Sequence, residues 1–454
     1  MRNFWTIAAC ACLFPSLMSA QSQQTNNCWS LNACIDYALE HNVGIAKNRQ
    51  AEASAAVSLA EAKAGRLPSL SGSLSQGLTY RPFQETGGNY VNGGIATSAA
   101  DKAMQSGSYG VNAQWVVWNG GKTQMAITDA DYDTQMAAFD TQTSANTIKE
   151  QIAQLYVQIL YMQEAERVNR TLLEQDSIIC ERGKVMVETG SLAQADLAQL
   201  LAQVSQGRYD VVNVDTQIAE AKMQLKQLME LPAATPFDIE PISVTDSRVM
   251  ADIPALETIY AAALDVRPEV KRSLLAIEQS ELETKMAKSG YMPTVSLTGS
   301  VGDSHITGSG RNYWNQMKNN FNTQLGVSVS IPILDNRKTK SAVERAKVAE
   351  TTARLDLQDT QKQLHQTIET YWLNAVNSRA KYVAGKSNVE ALETSYELMN
   401  EQFSLGLKNI AELLNSRSGL LSAQQTMLQD KYTALLNRHL LTFYGGANLF
   451  DENE

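Results

Sequence analysis

Histidine, proline and cysteine are scarce in this chain, at four, ten and five residues among 454. His41, His305, His365 and His439 stand apart from one another, with no carboxylate or cysteine at metal-ligand spacing. No metal and no cofactor are therefore predicted. Gly121-Lys122-Thr123 resembles the end of a phosphate loop, but Val116 stands where that loop needs a glycine. Acidic residues are scattered along helical stretches as solvated faces would place them, so no catalytic constellation emerges and an enzyme is not expected. Basic charge is also short. With a net charge of −10, the chain lacks the clustered Lys and Arg that neutralise phosphates, which argues against nucleic acid as a partner.

Long apolar runs are missing too. Beyond the first 20 residues no stretch reads as a transmembrane helix. Within those 20, Arg2 precedes a largely apolar Phe4 to Leu17, and Ser19-Ala20 offers small residues before a polar run. This pattern predicts a cleaved secretory signal over 1–20. Attachment of lipid at Cys10 or Cys12 is the alternative, and it leaves a short apolar region. Cys28, Cys34 and Cys180 remain, too few for a disulfide framework in a chain this large. Cys28 and Cys34 could close a small loop, but Cys34 falls on a helix face and reads as a small buried residue.

What the chain does have is an internal duplication. Leu31 through Glu40 matches Leu256 through Asp265, and Gly65–Leu70 matches Gly290–Val295, both at a shift of 225. From Gly110-Val111 against Gly326-Val327 onward the shift is 216, through Gly190 with Gly406 and Asp196 with Glu412. The first copy therefore carries a longer loop between Pro68 and Gly110. The predicted organisation is a first repeat over 21–231, a linker over 232–255, a second repeat over 256–445 and a short tail over 446–454. The linker holds four prolines and no helical periodicity.

Each copy reads as helix, two strands, long helix, turn, long helix. Period-2 alternation predicts strands near 69–80, 107–118, 294–302 and 324–333, with Leu, Val and Trp on one face and Ser, Gln and Asn on the other. Gly- and Asn-rich stretches near 81–103 and 303–320 join each pair. Residues 122–182 and 333–384 contain neither Gly nor Pro. Some 60 helical residues make a rod of roughly 90 Å, longer than a globular domain needs. After Gly190 a seven-residue repeat runs through Leu197, Val204, Val211, Ile218 and Leu225, with its second seam at Leu200, Gly207, Val214, Ala221 and Leu228. The second copy repeats it from Leu413 to Leu441. This is coiled-coil patterning.

Amphipathic strands of this kind suit either a barrel wall with lipid outside and water inside, or a half-exposed soluble sheet. Four strands cannot close alone, and an open edge in lipid leaves backbone groups unsatisfied. The signal segment, the duplication and the aromatics Tyr80, Tyr109, Trp115, Trp118, Tyr291 and Trp314 near strand ends favour the membrane.

The chain resembles the TolC family of outer-membrane efflux proteins (outer membrane factors). The resemblance lies in the Leu31…Ala38-Leu39-Glu40-His41-Asn42 opening, the Pro68 and Pro293 strand entries, Trp118-Asn119-Gly120-Gly121, and the Gly190…Asp196 and Gly406…Glu412 turns. It spans essentially the whole mature chain. It implies a mainly α fold with a small β part, in which a homotrimer shares one twelve-stranded barrel on an α-helical coiled-coil tunnel. It further implies a passive channel of a tripartite efflux or type I secretion system, in the outer membrane of a Gram-negative-type cell with its helices in the periplasm. Its partners would be outer-membrane lipid, a periplasmic adaptor and, indirectly, an inner-membrane pump.

By the same resemblance the tips that meet the adaptor would include Gly190, Ser191, Leu192, Asp196, Phe403, Gly406, Leu407 and Lys408. Glu412 and Asn415 would form the pore gate. An amide at 415, where the family has an acid, halves the charge of that ring. Phe403 replaces an expected Tyr, so a gate hydrogen bond from that hydroxyl is absent. The other class of reading is a periplasmic coiled-coil adaptor or spacer whose four strands form a soluble sheet. Nothing in the sequence separates drug, protein and metal as cargo.

Overall fold

The computed structural model describes residues 28–80, 82–83, 87–91, 94–98, 103–242, 244–307 and 312–449. The predicted signal over 1–20 and the end of the 446–454 tail lie outside the described residues. In chain order the elements are β1 (Cys28–Trp29), α1 (Leu31–His41), α2 (Val43–Ala64), β2 (Ser69–Tyr80), β3 (Gly87–Val91), β4 (Gly94–Ser98), β5 (Ala103–Trp118), α3 (Lys122–Glu188) and α4 (Gln194–Leu228). There follow β6 (Asp238–Ile239), α5 (Asp246–Met250), α6 (Leu256–Val266), α7 (Pro268–Lys288), β7 (Thr294–Ile306), α8 (Tyr313–Asn320), β8 (Asn322–Ser330), α9 (Lys338–Ser404) and α10 (Ile410–Tyr444).

Corresponding elements of the two copies have matching lengths. Helices α3 and α9 each run 67 residues, and α4 and α10 each run 35. At 1.5 Å per residue the long pair spans roughly 100 Å. Short helices α1 and α2 meet at Asn42, whose side chain caps α2 through Gly44 N–H and Ile45 N–H. Pro268 opens α7 at the equivalent corner, where a helix needs no N–H.

Four strands form one antiparallel sheet in the order β2-β5-β7-β8. Below it the helices repeat that order, since α2 packs on α3, α3 on α7, and α7 on α9. Strands and helices thus make one curved wall four elements wide. Several predicted bounds shift. Strand β5 begins at Ala103 and β7 runs to Ile306, both longer than the alternation showed. Strand β8 ends at Ser330, because Pro332 cannot donate to a ladder. The segment near 303–320, read as a loop, contains α8, and the extra length of the first copy holds the β3–β4 hairpin.

The main core lies at mid-length, where both copies and the linker meet. The linker is not bare: β6 pairs in parallel with β1, and α5 follows. Tyr156 of α3 is fully buried there, and its hydroxyl donates to the carbonyls of Glu240 at 2.8 Å and Trp29 at 3.2 Å. Cys34 is buried beside it with its thiol pushed up to about 12 by burial, while Cys28 is exposed and the two are not joined. A second core, nearer the helix–turn–helix points, takes Ile179, Cys180, Leu200 and Val204 from one hairpin and Tyr396, Phe403, Leu413 and Leu420 from the other. Leu200, Val204, Val211, Ile218 and Leu225 are buried as the seven-residue repeat predicts.

Candidate channel wall and periplasmic tips

The register assigns every strand residue to a face, because directly paired residues point the same way. Leu74 pairs with Tyr109 and Tyr109 with Asp303; Val111 pairs with Val301; Leu297 pairs with Val327. One face therefore carries Leu70, Leu74, Leu78, Val111, Trp115, Leu297, Val301, Leu325 and Val327. The other carries Ser69, Ser71, Ser73, Ser75, Ser108, Asn112, Gln114, Thr298, Ser300, Asn322 and Gln324. Among the described strand residues the polar face holds no charged side chain, only Ser, Thr, Asn, Gln and Gly with an occasional apolar residue.

Among the described residues of one chain nothing covers the apolar face. Leu70, Leu74, Leu78 and Leu325 are each at least 75% exposed. A soluble sheet leaves its polar face to water and buries the apolar one; this sheet does not. The apolar face is bounded at both ends. Next to the helices, Trp115 donates its indole N–H to Arg66 O at 2.8 Å. At the far end, Asp303 and His305 break the apolar pattern, and His305 stacks on Tyr109 at 5.8 Å and meets Tyr313 of α8 edge-on at 4.9 Å. Gly107 makes room for that ring, since a Cβ there would lie 2.2 Å from His305 Cε1. Aromatic girdles with an apolar band between them mark the two interfaces of a barrel in lipid.

At the opposite end of the molecule, α3 and α9 turn back into α4 and α10. Both turns are built alike. Gly190 has φ +76° and Gly406 φ +71°, left-handed values that a side chain strains. Ser191 N–H bonds Met186 O at 2.8 Å and Gly190 N–H bonds Val187 O at 3.0 Å. Leu407 N–H bonds Gln402 O at 2.9 Å and Gly406 N–H bonds Phe403 O at 3.0 Å. Each is a Schellman cap that satisfies the last carbonyls of the long helix.

The turns differ in what they expose. Leu192 tucks against the second core, whereas Leu405 and Leu407 are 72% and 70% exposed. Gly190, Ser191, Gly406 and Lys408 lie on the surface and Asp196 is half-buried in the first turn of α4. Phe403 differs from the expectation. At 2% exposure it belongs to the second core, where an aromatic ring contributes packing, so it supports the tip from inside and presents no surface. Glu412 lies in the first turn of α10, where its N–H bonds Asn409 Oδ1 at 2.9 Å and its carboxylate meets Lys408 Nζ at 2.5 Å. Asn415, three residues on, shares that face and is exposed. The lysine offsets part of the charge the turn presents.

Sequence reasoning missed one group near the tips. Asp176 of α3 and Arg417 of α10 form an ion pair with side chains 4% and 6% exposed. They are 241 residues apart and carry no local signal of pairing.

Comparison with known proteins agrees with this geometry. The family model described as Outer membrane efflux protein matches residues 34–230 and 259–447. Among curated proteins, the chain is 20% identical to the outer membrane efflux protein BepC of Brucella suis, over 82% of this chain and 78% of that one. It is 23% identical to the pyoverdine export outer membrane protein OpmQ of Pseudomonas aeruginosa, over 86% and 78%. Among solved structures, the Campylobacter jejuni CmeC outer membrane channel superposes with a TM-score of 0.75 at 18% identity, covering 94% of this chain and 87% of that one. The chain belongs to the outer membrane efflux protein family, with its strands in the outer membrane and its long helices in the periplasm.

Proposed function

We propose that three copies of this chain close into one duct, which passively carries cargo delivered at the tips by a periplasmic adaptor and an inner-membrane pump. The observation that carries this reading is that the wall is open at both lateral edges along its whole height. Strands β2 and β8 are sheet edges, and in lipid an unpaired edge leaves backbone groups unsatisfied at several kcal/mol each. Below them, α9 is the outermost helix on one side, and on the other α2 is outermost next to the sheet and α4 towards the tips. On α2 the exposed residues Ala46, Ala53, Val57, Ala60 and Ala64 follow coiled-coil spacing, and on α9 the exposed Val348 and Leu355 lie one heptad apart. Pairing β8 with β2, and α9 with α2 and α4, of the next copy satisfies both edges with one operation, and barrels of this kind need at least eight strands. Three copies give twelve.

The apolar Leu405 and Leu407 beside Lys408 offer the adaptor an apolar contact ringed by charge. Glu412 and Asn415 face the pore in this reading and narrow it. Among the described strand residues the polar face carries no charge, so those residues would give the lumen no preference for ionic cargo.

Conductance across a planar bilayer tests the duct and its gate together. Wild-type protein is expected to give discrete steps with a preference for cations. Glu412→Ala removes the carboxylate and frees Lys408, so conductance should rise and the cation preference fall. Conductance and selectivity equal to wild type would remove Glu412 from the gate.

A further inference from the structure

At the outer end of the sheet, β8 stops short of its neighbour. Its first residue, Asn322, pairs with Gly302, whereas β7 continues upward over 303–306. On the side that β8 leaves bare, side chains bond the backbone of those residues instead. Gln316 Oε1 accepts from Ile306 N–H at 2.8 Å, and Asn320 Nδ2 donates to Ser304 O at 2.6 Å. Asp303 Oδ1 accepts from Ser304 N–H at 2.7 Å. Gln316 and Asn320 lie one turn apart on α8, and Gln316 is buried. Helix α8 therefore stands at the edge of β7 where a strand would otherwise be, and it denies that edge to wrong strand pairing.

The face of α8 turned away from β7 is polar and uncovered. Tyr313, Gln316 and Asn320 meet β7 at His305, Ile306 and Ser304. At about 100° per residue the opposite side of the helix carries Asn315, Lys318 and Asn319, all exposed. In a closed ring that side looks towards β2 of the next copy. Within one chain Ser73 is level with Gly110, Gly302 and Asn322, so residues 74–80 of β2 rise above the start of β8. The strand ends descend across the sheet in this direction, as the strands of a tilted barrel do. A tilt of about 35–45° staggers neighbouring strands by roughly 1–1.5 residues, or roughly 4–6 over the four steps from one β2 to the next. The next β2 therefore still rises past Asn322 by roughly one to three residues. Those residues, around 78–80, have no β8 residue opposite them.

We propose that α8 closes the outer seam between copies of this chain. One side of the helix serves as the missing strand partner of β7, and Asn315, Lys318 and Asn319 on the other side do the same for the upper end of β2 in the next copy. Two amides and an ammonium supply donors, and the amide oxygens supply acceptors, to strand groups that β8 does not reach. A second copy fits this side better than lipid does, because acyl chains offer such groups no partner. The proposal rests on the duct reading above and concerns only how its outer rim is sealed.

Cross-linking between copies tests the seam. Lys318→Cys is combined with Thr79→Cys or with Tyr80→Cys, in a chain whose exposed Cys28 is changed by Cys28→Ser. Outer membranes holding each variant are treated with a short bis-maleimide, after a maleimide dye has shown that both sites react. A link between copies appears as dimer and trimer on a denaturing gel, whereas a link within one chain leaves the mass of a monomer. Both pairs are expected to give dimer and trimer. Lys318→Cys with Ser69→Cys, at the other end of β2, is expected to give neither. Native mass is measured for each variant. A trimeric native mass with no covalent link at 79 or 80, or with linking as strong at 69, would overturn the seam and leave the duct standing. A native mass of one copy in wild type would overturn the duct reading itself. Should Lys318→Cys fail to assemble, Asn315→Cys decides on the same criterion.

Discussion

Val111→Arg is expected to prevent assembly in the membrane, while Asn112→Arg, its immediate neighbour, is expected to be tolerated. The two residues point to opposite faces of the central strand β5. Val111 pairs with Gly72 and Val301, midway between the aromatic ends of the apolar face, and Asn112 pairs with Ser71 and Ser300 on the polar face. An arginine facing lipid near the bilayer centre costs about 2–4 kcal/mol in each chain. The same residue facing water inside a barrel costs little. Three equivalent sites would raise the difference to roughly 6–12 kcal/mol per assembly. The measurement is the fraction of protein recovered as detergent-stable oligomer from outer membranes. Equal recovery of the two variants would mean that the faces are misassigned. The Asn112→Arg channel should also lose cation preference, because it places positive charge in a lumen that otherwise has none on its described strands.

Removal of the Tyr156 side chain should have the next largest effect. The ring lies in the core where α3 meets α1 and the linker, and its hydroxyl ties the β1 and β6 backbones through Trp29 and Glu240. Tyr156→Ala creates a large cavity and removes the donor from the Glu240 carbonyl, while Trp29 O keeps its bond from Glu240 N–H. A loss of about 3–5 kcal/mol is expected, in line with large-to-small changes of buried aromatics. Tyr156→Phe removes only the hydrogen bond and should cost about 1 kcal/mol. Limited proteolysis reports the site directly, since loss of the tie should expose the segment around Trp29 and 232–245 to cleavage before the long helices. An unchanged cleavage pattern in Tyr156→Ala would show that β1 and the linker are held by other contacts.

These two sites also mark what could and could not be read from residues alone. The strand faces were legible because alternation with period 2 is a local property. Strand β2 agrees with its expected bounds, and the faces of Leu70, Val111, Leu297 and Leu325 are those their spacing implies. The hairpin helices were legible for the same reason, since a seam every seven residues needs no knowledge of its partner. The tight turns were marked by Gly190 and Gly406, which take the left-handed φ that a Schellman cap requires. Tyr156 was not legible as a hub. It sits among apolar neighbours in a long helix, and the carbonyls it bonds belong to a two-residue strand and to the residue just after another, which leave no pattern. Asp176 and Arg417 read as two more surface charges on long helices, and only the crossing of α3 with α10 makes them a buried pair. Helix α8 was hidden in a stretch rich in Gly and Asn; its cap, Asn312 accepting from Asn315 N–H, looks like ordinary loop chemistry until Gln316 is seen to bond the backbone of β7.

The closed ring is the claim on which the rest depends, and the mass of the detergent-purified protein by native mass spectrometry tests it most directly. Three copies per particle, dispersed only while detergent is present, is the predicted result: it satisfies the open edges of β2, β8, α2, α4 and α9 and places the bare apolar face in detergent. A monomer or dimer that stays dispersed without detergent would contradict it, because the apolar face and both edges would then have to be covered in some other way.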